Sequence, residues 1–124
     1  MAKLWAVALG AGLLAGCTTL HQGDRIPLAS NTGEAVDCLP LQQIRETRVR
    51  SDQVIDFFTR DGRVYRNTLP NSCPTLGFER RFSYSTSLTQ LCSVDIITVL
   101  TSPPTLQGAS CGLGKFQPVD LANR

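Results

Sequence analysis

The sequence predicts an all-β fold: a small antiparallel barrel or sandwich of about six short strands, stapled by disulfides, after a signal peptide and a flexible tether. Three observations predict it. Short runs of β-branched and aromatic residues alternate with Gly and Pro, an Asp-Gly pair lies between two such runs, and the C-terminal part holds an even number of cysteines. Together these features are typical of small, exported β domains.

The predicted strands follow from apolar runs that lie between turn signals. They cover residues 44–50, 54–60, 63–69, 82–86, 96–100 and 109–119. The fifth run is apolar almost throughout, which predicts a central strand. The last is glycine-rich and anchored by Phe116 and Val119. Within it, residues 112–115 superficially look like a phosphate loop, but the motif is too short, and a turn at a strand edge explains it better.

The Asp-Gly pair at residues 61–62 predicts a β-hairpin with a two-residue loop, because these residues accept the positive φ angles of a type I′ turn. A loop of this length sets Thr59 opposite Val64. The face directed to the core then holds Ile55, Phe57, Thr59 and Val64. Phe58 and Tyr65 pair on the second face, which needs a cover or serves as a surface for a partner.

Four cysteines in the predicted domain, residues 37–124, predict two disulfides. They are Cys38, Cys73, Cys92 and Cys111. A zinc site is disfavoured, because no C-x-x-C pair occurs and the one histidine, His21, precedes the domain. If the strands form an up-and-down meander, the cysteines at each pole pair as Cys38–Cys92 and Cys73–Cys111. A Greek-key crossing would change this pairing.

Residues 1–16 predict a lipoprotein signal peptide. The apolar segment 4–14 is too short to span a bilayer, which takes about 20 residues, and has the length of a signal-peptide core. It leads into Leu-Ala-Gly-Cys at residues 14–17, which resembles the bacterial lipobox. The resemblance implies cleavage before Cys17 and acylation of its thiol, so the lipid bilayer is a predicted partner.

The residue after the predicted acylated cysteine is Thr18 rather than Asp. This resembles lipoproteins that are sorted to the outer membrane, and it implies a lipid-anchored protein facing the periplasm. The polar segment 17–36 predicts a flexible tether between membrane and domain, because it is rich in Thr, Gly, Ser and Asn without a sustained period.

Charge and composition exclude several functions. The chain has twelve Lys and Arg against ten Asp and Glu, and removal of residues 1–16 with Lys3 leaves eleven against ten. A nearly neutral protein is not expected to bind nucleic acid. The domain lacks a histidine that could activate a nucleophile, and no two carboxylates stand out as a catalytic pair. We therefore expect a protein without catalytic residues, cofactor or metal.

Arginines cluster in and beside the first four predicted strands. Those selected as candidates for anion binding are Arg48, Arg63, Arg66 and Arg81. Guanidinium groups bind phosphate and carboxylate groups in a bidentate manner, and the cell envelope offers lipid phosphates, peptidoglycan carboxylates and acidic proteins. The alternative is that these arginines pair with nearby Asp and Glu residues at solvent-facing strand positions.

Several short motifs run through most of the domain. They are GRVYRN at 62–67, Leu69-Pro70, Cys73-Pro74, RFSY at 81–84, Leu91-Cys92, DII at 95–97 and GASCGLG at 108–114, followed by Phe116 and Pro118. These motifs resemble a family of small proteobacterial lipoproteins that is known only as a domain of unknown function. The resemblance implies an exported, disulfide-bonded protein and adds no site.

The predicted function is that of a membrane-anchored, periplasm-facing lipoprotein with a non-enzymatic structural or partner-binding β domain. Its expected partners are the bilayer, through acylated Cys17, and an envelope protein or peptidoglycan. The alternative is an anion- or glycan-binding envelope module that uses the arginine-rich strands. Arginines that are each matched by an acid would favour the first function, and a basic sheet face without acids would favour the second.

Overall fold

The computed structural model describes residues 26–86, 88–103 and 106–122. The strands in these ranges are β1 Ala29–Asn31, β2 Cys38–Pro40, β3 Ile44–Val49, β4 Val54–Thr59, β5 Val64–Thr68, β6 Phe82–Tyr84, β7 Gln90–Cys92, β8 Ile96–Leu100, β9 Gln107–Gly112 and β10 Phe116–Leu121. The described residues also form a 3-10 turn at Leu41–Gln43 and a short α-helix, α1, at Leu76–Glu79. None of the described helical segments has the length and hydropathy needed to cross a membrane.

The described strands form three antiparallel sheets. The largest has the order β1-β10-β5-β4-β3, a second has the order β6-β8-β9, and β2 pairs with β7. The outermost strands of the largest sheet, β1 and β3, do not pair with each other, so this sheet does not close into a barrel. The prediction of a small, all-β, disulfide-stapled domain is confirmed, but the barrel alternative is not formed.

Each predicted strand is present, but the last is divided. Residues 109–119 span the end of β9 and the start of β10, which lie in different sheets. Strands β1, β2 and β7 were not predicted. Strand β1 lies inside residues 17–36, the segment predicted as a tether, and pairs with β10. Regular strand pairing therefore begins before residue 37.

The β4–β5 hairpin has a three-residue loop instead of the predicted two-residue loop. The N–H of Thr59 donates to Arg63 O at 2.9 Å, and the N–H of Gly62 donates to Thr59 O at 3.1 Å. Gly62 has a φ of 84°, as expected where a type I turn is followed by a left-handed residue. The extra loop residue moves the register by one, so Phe58 lies opposite Val64.

This register turns the side chains of β5 over relative to the prediction, because neighbouring residues of a strand point to opposite faces. Tyr65 lies opposite Phe57 and packs against the main core. Val64 joins Phe58 on the opposite face of the sheet. The predicted pairs Thr59–Val64 and Phe58–Tyr65 are therefore wrong.

The main core contains apolar side chains from all three sheets, with Phe57 of β4 fully buried among them. Its ring meets the ring of Phe116 in β10 at a centroid distance of 5.2 Å and that of Phe82 in β6 at 6.4 Å, both edge to face. Edge-to-face contacts add about 0.5–1.5 kcal/mol to the burial of each pair. The three rings thus join the largest sheet to the β6-β8-β9 sheet.

Two disulfides bind the elements together, Cys38–Cys92 and Cys73–Cys111. The first joins directly opposed residues of β2 and β7, whose Cα atoms are 4.0 Å apart. The second joins the segment after β5, where Cys73 is fully buried, to β9. The predicted pairing is confirmed, although the meander behind it is wrong, since β5 pairs with β10 and not with β6.

The chain crosses between sheets at Gly114, which lies between β9 and β10. The buried side chain of Asn67 in β5 donates through Nδ2 to Gly114 O at 2.7 Å and accepts from Gly114 N at 2.8 Å. A Cβ atom at position 114 would overlap the carbonyl oxygen of Thr68. Residues 112–115, predicted as a turn at a strand edge, are therefore a crossing that requires glycine at one position.

We expect Gly114→Ala to lower the free energy of unfolding by about 2–4 kcal/mol, because the methyl group would displace β5 or break both bonds to Asn67. The matched control is Gly112→Ala, since a Cβ atom there meets nothing within 4 Å. We expect it to cost less than about 1 kcal/mol. Urea unfolding with the disulfides intact measures both, and equal losses would contradict the role of the crossing.

Candidate functional site

Asp56 lies fully buried on the face of β4 opposite the main core. Arg66 binds it twice, Nε to Oδ1 at 2.8 Å and Nη2 to Oδ2 at 3.0 Å, and Arg50 Nε donates to Oδ2 at 2.9 Å. The side chains of both arginines are 15% exposed. Paired, charge-assisted hydrogen bonds offset the cost of removing these charges from water. Arg66, a candidate anion-binding residue, therefore holds an anion of the protein itself.

Arg48 lies on the same face, in β3. Its guanidinium carbon is 4.8 Å from the centroid of the Phe58 ring, and its Nη2 atom is 3.3 Å from Glu46 Oε1. Arg45 approaches the same oxygen at 3.5 Å. Two exposed arginines thus share one carboxylate, which leaves an excess of positive charge at this end of β3.

Arg63 lies at the hairpin loop, with its Nε atom 3.5 Å from Asp61 Oδ2. Asp61 also stabilises the turn, because its Oδ1 accepts from the Thr59 hydroxyl and from the Arg63 backbone N–H. These bonds, above all the one from Thr59, lower the pKa of Asp61 below the usual aspartate value. The Tyr65 hydroxyl, and to a smaller extent the Asp61 carboxylate, raise the pKa of Arg63.

The fourth candidate, Arg81, lies just before β6, with its Nη2 atom 3.8 Å from Glu79 Oε2. Each of the four predicted anion-binding arginines therefore has a carboxylate within 3.8 Å. They do not meet in one site. Arg48 and Arg63 line a cleft of about 170 Å³ together with Arg45 and Phe58, whereas Arg66 and Arg81 are not part of its lining.

A second cleft, of about 270 Å³, runs along β3 and is named here the β3-edge cleft. Its lining residues are Thr47, Arg48, Val49, Arg50 and Arg80. Three arginines thus line it without a carboxylate. The Nη2 atom of Arg50 is buried and has no hydrogen-bond partner among the described residues. Arg80, at the end of α1, is exposed and donates to Gly77 O at 3.4 Å.

Arg50 and Arg80 line this cleft but are not among the four arginines predicted to bind anions. The first could have been found, because Arg48 and Arg50 stand two residues apart and so share a face of one strand. No local pattern places Arg80 beside β3, since α1 and β3 are distant in sequence. Asp52 makes this contact: its Oδ1 accepts from the N–H of Gly77 at 2.7 Å and ties α1 to the β3–β4 turn.

Other predicted features lie outside the described residues or are absent from them. Residues 1–16 and the predicted lipid-attachment residue Cys17 are outside the described ranges. Within those ranges, no three His, Cys, Asp or Glu side chains are grouped closely enough to hold a metal ion. Comparison of the chain with protein-family models, with curated proteins and with solved structures gives no match.

We expect Asp56→Ala to lower the free energy of unfolding by about 3–5 kcal/mol, because Arg50 and Arg66 would stay buried without their counter-ion. The matched control is Glu46→Ala, which removes a carboxylate that two arginines share at the surface. Its expected cost is below about 1 kcal/mol. Urea unfolding distinguishes the two, and a similar cost for both would show that burial does not govern this network.

Thr59→Val is expected to raise the pKa of Asp61 towards the usual value, because it removes the hydroxyl with the largest effect on that carboxyl. Arg63→Gln keeps the backbone donor and should change the pKa less. NMR titration of the Asp61 carboxyl measures both variants, and the reverse order would refute the assignment. Since the folded pKa lies below the unfolded one, ionised Asp61 stabilises the fold above the unfolded pKa, and this contribution is lost as the pH falls through the folded pKa.

Proposed function

We propose that this chain is an outer-membrane lipoprotein, anchored by acylated Cys17, whose β domain binds an envelope partner without catalysis. The main support for this proposal is the different role of each of the five cysteines. The two disulfides account for four of the five cysteines. The fifth, Cys17, ends an apolar segment of signal-peptide length and completes the lipobox-like residues 14–17.

The position of the second disulfide supports export to an oxidising compartment. Cys73 belongs to the main core, where it is buried in the same cluster as Phe57 and Leu76. Disulfides persist in the periplasm and are reduced in the cytosol. Each bridge stabilises a small domain by roughly 2–4 kcal/mol, so a domain with a bridge in its core depends on oxidation for its stability.

The polar side chains support a binding or structural role. The domain cysteines are bridged, the sequence from residue 37 onward contains no histidine, and each of the four candidate arginines pairs with a carboxylate. A site for a small anion needs guanidinium donors that converge and lack internal partners. Partner binding therefore accounts for this surface better than the capture of a small anion. Thr18 and the lipoprotein-like motifs of the domain support the envelope location.

The test is the intact mass of the protein purified from its native envelope, with and without reductant. We expect the mass of residues 17–124 plus three acyl chains, with a gain of four hydrogens on reduction as both disulfides open. We expect Cys17→Ala to leave the membrane fraction and Thr18→Ala, its matched control, to stay there. A parent chain without lipid would overturn the anchor, and four thiols before reduction would overturn the export argument.

A further inference from the structure

The outer edge of β3 carries backbone groups that the described part of the fold does not use. Residues of an antiparallel pair alternate between those that bond to the partner strand and those that point away. The hydrogen bond from Arg50 N to Val54 O sets this alternation, so the backbone N–H and C=O groups of Arg48 also point towards β4. The N–H and C=O groups of Thr47 and Val49 therefore point outward, where no described strand pairs with them.

Three arginines line the same edge. Arg48 and Arg50 lie on the face that holds Asp56, and Arg80 completes the β3-edge cleft. Among these, Arg80 has no described carboxylate partner. The Nη2 atom of Arg50 is unpaired but buried, so Arg48 and Arg80 are the exposed guanidinium groups of the cleft. The cleft therefore combines backbone groups suited to a strand with guanidinium groups suited to carboxylates.

We propose that the open edge of β3 binds an extended acidic peptide segment of an envelope partner as an added strand. This inference rests on the partner-binding part of the proposed function. An added strand takes its affinity from backbone hydrogen bonds and its specificity from alternate side chains. Because strand side chains alternate with a period of two, carboxylates at every second residue of the peptide lie on the face of Arg48, and Arg80 offers a further exposed guanidinium group at the cleft.

A second copy of this chain is a poor occupant of the same edge. An antiparallel pair of β3 strands that sets Arg48 opposite Arg48 or Arg50 of the other copy opposes like charges, which destabilise strand pairs. The register shift between Ile44 and Glu46 further shortens the regular part of the edge, a feature that limits pairing between copies. An acidic segment gains attraction where a second copy meets repulsion, so charge selects the partner.

The experiment uses the mature protein in detergent and a fluorescent peptide with four Glu-Thr repeats, with binding followed by anisotropy. Two peptides serve as controls: four Lys-Thr repeats, and the Glu-Thr peptide with every backbone nitrogen methylated. We expect the Glu-Thr peptide to bind and both controls to bind at least about tenfold more weakly. Equal binding of the methylated peptide would overturn strand addition, and equal binding of the Lys-Thr peptide would overturn acidic selection.

Variants of Thr47 test the backbone contact. Thr47→Pro removes an N–H that has no partner in the described fold and places a ring at the edge, where proline is tolerated. It should weaken binding at least about tenfold, whereas Thr47→Ala, which keeps the N–H, should change it less than about twofold. Urea unfolding checks that both variants fold. Equal binding by two folded variants would overturn the proposed contact.

The arginines give a second test that does not depend on proline. Arg80→Gln should weaken binding about two- to fivefold at low salt, and the difference should disappear at high salt because surface charges are then screened. Arg81→Gln, the neighbouring residue outside the cleft, should bind like the parent. Equal effects of both variants would overturn the role of the cleft. An acylated protein that does not bind the peptide overturns this inference alone, whereas an unacylated one that binds it overturns only the anchor.

Discussion

The two hydrogen bonds between the Asn67 side chain and the backbone of Gly114 determine which strand lies beside β5. They hold β10 there, and β10 brings Phe116 against Phe57. The chain reaches this crossing from β9, which belongs to the other sheet and carries Cys111 of the second disulfide. A side-chain amide can do this because it offers a donor and an acceptor, like the peptide group that it binds. The order of the largest sheet, its contact with the second sheet and one bridge depend on this pair.

At the other end of the largest sheet, the buried charges around Asp56 determine how β3, β4 and β5 are aligned. Asp56 lies opposite Arg66 on one side and Arg48 on the other. A slip of β5 by one residue would bring an apolar side chain opposite Arg66 and leave a buried carboxylate without its bidentate partner, which costs several kcal/mol. The network therefore fixes the register, and it also fixes Arg50, whose Nε atom is bound while its Nη2 atom is not.

The six predicted strand runs follow from local composition, whereas β1, β2 and β7 have only three residues each and were missed. The cysteine pairs are correct although the meander from which they were derived is wrong, since β5 pairs with β10. The hairpin register could not be derived from Asp-Gly alone, since this pair suits a two-residue loop and also a three-residue loop with a left-handed glycine. The opposite charges of Asp56 and Arg66 indicate the hairpin register better than the Asp-Gly pair does, because they favour a register in which the two residues face each other. The crossing at Gly114 and the position of Arg80 could not be predicted, because both depend on contacts with segments distant in sequence. The acylation of Cys17 stays a prediction.

An edge strand must avoid pairing with copies of itself and still be able to bind a partner. Strand β3 does the first through charge and a register shift, because its arginines repel an identical strand in registers that oppose them and the irregular start shortens the pairing edge. The same arginines attract a strand that carries carboxylates, since the β3-edge cleft has three guanidinium groups and no acid in its lining. The positive charge of this edge therefore both limits pairing between copies and favours an acidic partner. A neutral residue in place of Arg48 would weaken both effects together.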